Sequence, residues 1–549
     1  MNHNATIQLD WADEWTKGRT SWARGRAFLN GECLGPRDLA LRFESASSPQ
    51  ALAALGESLT GHFAVMGSGG AGTFAVVDRT RSYPVFFSQM DGSVLLSDSP
   101  RLLVSHHPHA VPPREAFVDF AYAGYVTNEL TLFPDVAEVP AATVLTHSQP
   151  NPAQLDKYGS FRPTVNGVLN EKAPVLLDMA YSTLECAIER MLEVVNGRTL
   201  VLPLSGGYDS RLLAMMINLS GYDRVLCYSY GRPGNIESQI SKSVAEELGF
   251  KWLFVEYSER QWAEWTKSDR WAEYADLAHR GVSVPLMQGW PSTGALKSQS
   301  LVPNDSVFAP GLIGGIVSGY YAKAGLSKSR RMTRLEVARE LVQDMYHLWW
   351  DEPSRALDLA GVAERIALGL GTDCFLSDGA GAAAYEDWVW REDQAKFVTN
   401  GARVYDYWGY DWWLPFADKE VVDFWTQVPY SERVDKVLYN RLVLDRIPDM
   451  LGSSSTSVLR RPKGRDKPIR RAARAIDALG LLRGTRNRFR PHLDAAAVYS
   501  SHHLGWWGAV SMEQFLSEYT GRENIYSFVT EQMLTDRYNW SRGQEIPPR

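Results

Sequence analysis

The chain has 549 residues, 45% of them hydrophobic and 22% charged, with a formal net charge of −7. That length exceeds one ordinary core and predicts two domains or three. The acidic balance excludes a global attraction to nucleic acid, and the four cysteines, Cys33, Cys186, Cys227 and Cys374, lie far apart with no CxxC, which argues against a disulfide framework or a zinc site and fits a reducing cytoplasm.

The opening "MNHNATIQLDWADEW" has neither a basic n-region nor an apolar h-region, so it does not read as a signal peptide. No apolar run approaches the roughly 18 residues of a membrane span. To about residue 150 the pattern is β-rich. "GHFAVMGSGGAGTFAVVDRTRSYPVFFSQMDGSVLLSDSPRLL" gives short apolar strands, with turns at Gly67 to Gly70 and at Met90 to Gly92. Their spacing predicts stacked antiparallel sheets. Residues 150–170, rich in Pro, Gly and Asn, read as a linker.

The pattern then changes. Ala173 to Val195 reads as an amphipathic helix. "RTLVLPLSGG" reads as a buried strand, "YDSRLLAMMINLSGY" as a helix, "RVLCYSYG" as a strand, "NIESQISKSVAEELGF" as a helix and "KWLFVEY" as a third strand. This alternation predicts a parallel sheet with crossover helices and a ligand outside its carboxyl ends. The remainder reads as mostly helical, and the aromatics between Met345 and Trp425 as core. Arg460 to Arg490 holds twelve Lys or Arg against two acids, which reads as a solvated surface.

The chemistry concentrates in "LPLSGGYDSRLLA", Leu202 to Ala214. After the strand the backbone must turn, and Gly206 and Gly207 are expected to supply the φ values and the close approach. The helix from Tyr208 aims its positive end at the same point, and Ser205 adds a hydroxyl. That combination cradles an anion, most simply phosphate. Asp209 would repel a bare phosphate, so it is read as holding a metal that bridges phosphates. No GK[ST] follows, so this is not a Walker loop.

"LSGGYDS" resembles the pyrophosphate loop of the asparagine synthetase family, usually SGGxDS. "GHFAVM…FAVVDRTRSYPVFF…LLSDSPRLL" is similar to that family's glutaminase-type domain, and "GYVTNELTLFPDVAEVPAA" to the segment leading out of it. "WLPFADKEVVDFWTQVP", "DKVLYNRLVLDRIP" and "RRPKG" follow its C-terminal order. "QAKFVTNGARVYDYWGYDWWLPFAD" looks closest to homologues from bacterial surface-polysaccharide pathways. The resemblance implies an α/β chain. Residues 1–160 would be a degenerate Ntn-hydrolase-like layer of stacked antiparallel sheets. Residues 170–549 would be an adenine-nucleotide α-hydrolase-like synthetase domain with a parallel sheet and a helical C-terminal part.

It also implies a ligase that activates a carboxylate with ATP and Mg²⁺ through an acyl-adenylate, which an amine then attacks. Ser205, Gly206, Gly207, Asp209 and Ser210 would grip pyrophosphate and metal, and Asp209 would be the metal ligand. Tyr228 to Gly231 would line the adenine, Glu237 would serve the polyphosphate region, and Gly311 would offer backbone to the nucleotide. Lys436 in "DKVLY" would neutralise charge developing on the phosphates, as the catalytic cation. A small-molecule or peptide carboxylate, ammonia or an amine, and a homodimer are the implied partners, with no nucleic acid and no membrane.

Two departures stand out. Glutamine-using members expose an N-terminal cysteine, whereas residue 2 here is Asn2 and Cys33 is internal. Glutamine hydrolysis is therefore not expected; the related β-lactam synthetases and lasso-peptide cyclases also lack that cysteine. In "APGLIGGIVSG", Leu312 stands at the polar catalytic position and Gly315 at that of the second metal carboxylate. Losing one carboxylate weakens Mg²⁺ binding. Asp305 is a weak substitute. Among further candidates, "SHHPH" at Ser105 to His109 reads as an exposed loop, Arg280 as a partner for a substrate acid, and Arg403 as a structural ion pair with Asp406 or Asp411. Leu312 and Gly315 support an alternative, a non-catalytic descendant that binds nucleotide or a partner.

Overall fold

A computed structural model of the chain describes residues 6–90, 92–104, 113–163, 169, 171–323, 326, 331–349, 355–370, 379–451, 495–496, 498–520 and 523–538. Asn2, the loop 105–109, Cys374 and the basic stretch 460–490 lie outside the described residues.

The N-terminal part stacks two sheets. The larger has seven strands, built on the hairpin Thr60–Gly69 and Gly72–Val77 and flanked by Ser21–Leu29 and Thr143–His147, all antiparallel. The smaller has four, with Phe86–Met90 antiparallel to Ser93–Ser97 and Thr6–Gln8 parallel to the latter. Alternation along Thr60–Gly69 explains the layering. Ala64 and Met66 face Val94 and Leu96 of the smaller sheet. Phe63 and Val65 face Leu39, Phe43 and Leu52 of two helices, Pro36–Glu44 and Pro49–Ser58. Stacked, mainly antiparallel sheets are thus as expected; the two helices are an addition. The first turn falls later than expected, because Gly67 and Gly69 remain in the strand and Gly72, at φ 87°, closes the hairpin. Residues 150–163 are no free linker: Gln154–Lys157 pairs with Thr143–His147, and buried Phe161 stacks on Trp390 at 5.3 Å.

The expected strand–helix alternation is present. Helix Ala173–Val195 precedes strands Leu200–Pro203, Val225–Gly231 and Lys251–Glu256, joined by helices Tyr208–Leu219 and Ile236–Glu247. Two strands of two residues each, Val307–Phe308 and Asp411–Trp412, complete a five-stranded, wholly parallel sheet. In spatial order Lys251–Glu256 and Val225–Gly231 lie to one side of Leu200–Pro203, and the two short strands to the other. The strand order therefore reverses between Leu200–Pro203 and Val307–Phe308, and it is outside the carboxyl ends at such a reversal that parallel sheets place a ligand crevice.

Helices dominate the C-terminal half, and Trp349, Trp388, Trp390, Trp413 and Trp425 are buried in its core, as expected of the aromatic-rich stretch. The largest apolar cluster joins Phe28 and helix Arg114–Ala123 to this part, so the core is continuous between the sheet layers. Charges bridge the same junction. Lys396 reaches Glu138 at 2.6 Å and Glu392 at 3.0 Å, and Arg81 reaches Glu138 at 2.7 Å. His62 accepts the Leu414 N–H through Nε2 at 3.1 Å, and burial pushes its pKa down to about 3. Among the described residues no helix is long and apolar enough to cross a membrane.

Candidate active site

The loop after Leu200–Pro203 is held by its own serines. The Ser205 N–H donates to Ser210 Oγ at 3.0 Å, the two hydroxyls lie 3.0 Å apart, and the Gly207 N–H donates to Ser205 Oγ at 3.1 Å. Gly207 caps helix Tyr208–Leu219 without a side-chain acceptor, which leaves the first-turn amides for an anion. Buried Arg211 fixes the loop from behind: Nε donates to the Gly207 carbonyl at 3.1 Å and Nη2 to that of Gly206 at 2.6 Å. In a trans peptide the N–H opposes its carbonyl, so holding the Gly207 carbonyl turns the Tyr208 N–H outward.

The glycines act through space rather than φ, contrary to expectation. Gly207 is extended at φ −78°, and Gly206 is not among the positive-φ residues. A Cβ on Gly206 would come 3.2 Å from Glu237 Cγ and 3.3 Å from its Cα. Gly206 thus lets the helix that starts at Ile236 approach the loop, and brings Glu237 to the expected region.

The second loop arrives from Val307–Phe308. Its glycines nest on Asp209. A Cβ on Gly311 would lie 3.0 Å from the Ser210 amide, and one on Gly314 would lie 2.9 Å from Asp209 Oδ2. Between them buried Ile313 is held at φ 70°, a strained conformation for a β-branched residue. A Cβ on Gly315 meets nothing within 4 Å. Leu312 turns away from polar duty: its Cδ1 would lie 3.4 Å from a Cβ on Gly401, beside Leu286. Asp305 is exposed and precedes Val307–Phe308, at the amino end of the strand, so it does not stand in for the missing carboxylate.

The third contribution comes from Lys436 and Tyr439. Asp435 and Lys436 are both left-handed, at φ 56° and φ 59°, and Lys436 caps helix Val437–Arg441. Lys436 Nζ lies 4.9 Å above the exposed Tyr320 ring. Tyr439 donates its hydroxyl to Asp209 Oδ1 at 2.6 Å. Burial raises the Asp209 pKa, against the pull of the Tyr439 hydroxyl and the Lys436 charge. Asp209 thus has a hydroxyl on Oδ1 and Gly314 packed against its carboxyl group, where a Cβ would come 2.6 Å from Cγ. Among the described residues no group of three His, Cys, Asp or Glu could hold a metal by itself.

Beside Ser205 a cavity of ≈ 250 Å³ is lined by Tyr228, Tyr230 and Glu237 on one side and by His503 and Trp506 on the other. The His503–Trp506 wall was not foreseen. Gly231, at φ 123°, makes it possible: a Cβ there would lie 2.7 Å from the His503 carbonyl, and the Arg232 N–H donates to that carbonyl at 2.7 Å. Tyr228 is almost fully buried and touches the cavity only as part of its wall.

The crevice thus brings together Ser205, Gly206, Gly207, Asp209, Ser210, Gly311 and Lys436, with Tyr228 in the wall of the adjoining cavity and Gly231 outside that wall, against the His503 backbone. Arg280 is elsewhere. It is buried at the layer junction, donating to the carbonyls of Leu277 at 3.0 Å and Asp98 at 2.8 Å. Arg403 pairs with Asp406 at 2.6 Å as expected, whereas Asp411 pairs with Arg198. Arg211 and Tyr439 were missed; their only sequence signal is position, just after the serine loop and one helical turn after Lys436.

The chain matches no model of a known protein family and no curated protein.

Proposed function

We propose that the chain is an ATP-dependent, AMP-forming amide ligase of the asparagine synthase type, which adenylates a carboxylate and transfers ammonia or an amine to it without hydrolysing glutamine. In this reading the N-terminal sheets are an Ntn-type layer and the parallel sheet an adenine-nucleotide α-hydrolase-type layer. The observation that carries it is the meeting, at the strand-order reversal, of a helix terminus with free first-turn amides, one half-buried carboxylate and one lysine from distant stretches.

When bound, ATP with Mg²⁺ would supply an activated phosphorus and pyrophosphate as leaving group. The chain supplies the rest. The first-turn amides of Tyr208–Leu219 and the Ser205 and Ser210 hydroxyls orient the phosphates. Asp209 would hold the cation. Lys436 stabilises negative charge as it grows. The cavity beside Tyr230 and Trp506 takes the base, and aromatic walls favour stacking there. Cys33 lies inside strand Glu32–Leu34 and offers no α-amine, which supports a nitrogen source other than glutamine.

A non-catalytic, nucleotide-binding descendant is the second reading. It is favoured by Leu312, packed among apolar groups, and by the empty space at Gly315. ATP–pyrophosphate exchange separates the two. Exchange dependent on one acid (aspartate, a uronic acid or a peptide acid) and lost in Asp209→Ala is expected. Nucleotide binding without exchange for any acid would transfer the conclusion to the second reading.

A further inference from the structure

The cavity beside Ser205 has one carboxylate in its wall, Glu237, and no lysine or arginine among the described residues that line it. The Glu237 stem packs on the serine loop, since a Cβ on Gly206 would lie 3.2 Å from its Cγ. Burial raises the pKa of Tyr230 on the cavity wall, and Tyr228 and the Glu237 charge add to the rise, so the carboxylate lies close to that wall. Helix Ile236–Glu247 does not need Glu237 as its cap, because the Asn235 side chain already accepts the Ser238 N–H at 2.8 Å. Among the described residues no hydrogen bond or ion pair engages the Glu237 carboxylate.

An ionised carboxylate only accepts hydrogen bonds, so it calls for a ligand that donates them. Phosphate oxygens do not; they repel it. In the proposed site the phosphates meet the serine loop and the base lies against Tyr230 and Trp506, so the sugar passes between them. Ser205 and Glu237 stand there, each touching both the loop and the cavity. A ribose presents two adjacent hydroxyl donors, and parallel-sheet nucleotide crevices use an acidic side chain to accept from such a hydroxyl. We propose that Glu237 reads the sugar: it accepts the ribose hydroxyls and makes the site select ribonucleotides over deoxyribonucleotides. This replaces the polyphosphate role expected of Glu237, and it rests on the proposed nucleotide site.

The test is titration calorimetry of the full chain with Mg²⁺ and, in turn, ATP, its 2′-deoxy and 3′-deoxy analogues, and inorganic pyrophosphate. At least one deoxy analogue should bind the native chain roughly 10–100-fold more weakly than ATP, the range for losing one hydrogen bond to a charged group. In Glu237→Ala the three nucleotides should bind alike, while pyrophosphate binds as it does to the native chain. A native chain that does not distinguish the three nucleotides overturns the proposal without any variant having to fold, and leaves the nucleotide site standing. An Ala variant that still distinguishes them overturns it too. So does one that loses pyrophosphate affinity as much as ATP affinity, because Glu237 then acts through the serine loop. If the native chain binds neither ATP nor its analogues, the nucleotide site itself falls, and this proposal with it.

Discussion

The layer junction and the sheet crevice both bury charge, but they close it differently. At the junction Lys396 lies between Glu138 and Glu392, and Arg81 completes the set, with every one of these side chains at most 4% exposed. Opposite charges and hydrogen bonds meet each other and leave nothing for a ligand to do. At the crevice Asp209 has the Tyr439 hydroxyl on one oxygen and Gly314 packed against its carboxyl group, and Lys436 is near enough to pull its pKa down. Charge closed by charge holds the layers together; at the crevice a hydroxyl and a closely packed glycine, rather than a cation, meet the carboxylate, and open space begins only at Gly315.

The largest expected effect comes from opening the junction. Lys396→Met leaves buried Glu138 with Arg81 and buried Glu392 with the more distant Arg391, at 3.7 Å, and removes the one cation that both share. Breaking one partner of a buried set costs about 3–5 kcal/mol, so chemical denaturation should show a loss of that order. A loss below ~1 kcal/mol would mean that the junction charges are dispensable.

Asp393 challenges the rule, being a buried carboxylate that belongs to neither set. It sits in the π-helical stretch Trp390–Val398, accepts from Tyr321 at 3.2 Å and Gln394 at 2.6 Å, and among the described residues pairs with no cation. Burial raises its pKa to about 6. The folded state therefore holds a proton that the unfolded state has released, and stability falls as pH rises from about 4 to about 6. Asp393→Asn should abolish that fall and stabilise the chain by roughly 3 kcal/mol above it, at about 1.4 kcal/mol per unit over about two units. Denaturation midpoints across that window measure it. A native chain whose stability is flat there, or an Asn variant that is no more stable, would mean that Asp393 is offset after all.

How much of the molecule was legible in its sequence depends on where each bond reaches. Ala173–Val195 and the strands and helices after it carry their own periodicity, so their order could be read directly. Helices Pro36–Glu44 and Pro49–Ser58 announce themselves only by proline in the first turn, the second with a Ser48 cap, inside a stretch whose apolar pattern reads as strand. Val307–Phe308 and Asp411–Trp412 are too short for any pattern; they are strands only because distant chain pairs with them. The serine loop is local and its motif exposes it. Tyr439 is bonded to Asp209 across 230 residues, and nothing near it says so. The glycines were found for the wrong reason, because the space each one leaves is decided by the element that moves into it.

The smallest effect separates two adjacent glycines and tests the crevice most finely. Gly314→Ala places a methyl group 2.9 Å from Asp209 Oδ2, inside any van der Waals contact, with the Asp209 carboxyl carbon at 2.6 Å. The carboxylate must turn away, and Mn²⁺-dependent nucleotide binding should weaken by about tenfold, or ~1.4 kcal/mol. Gly315→Asp points into open space and has no left-handed backbone to strain. It adds a second carboxylate one residue beyond the glycine that packs on Asp209, so metal affinity should rise by a similar factor. Titration calorimetry of each variant gives both signs. If both variants weaken binding, the space at Gly315 is needed by the ligand itself rather than left by a lost metal ligand. If neither changes it, the metal, if any, lies elsewhere, and the contrast between junction and crevice loses its functional half.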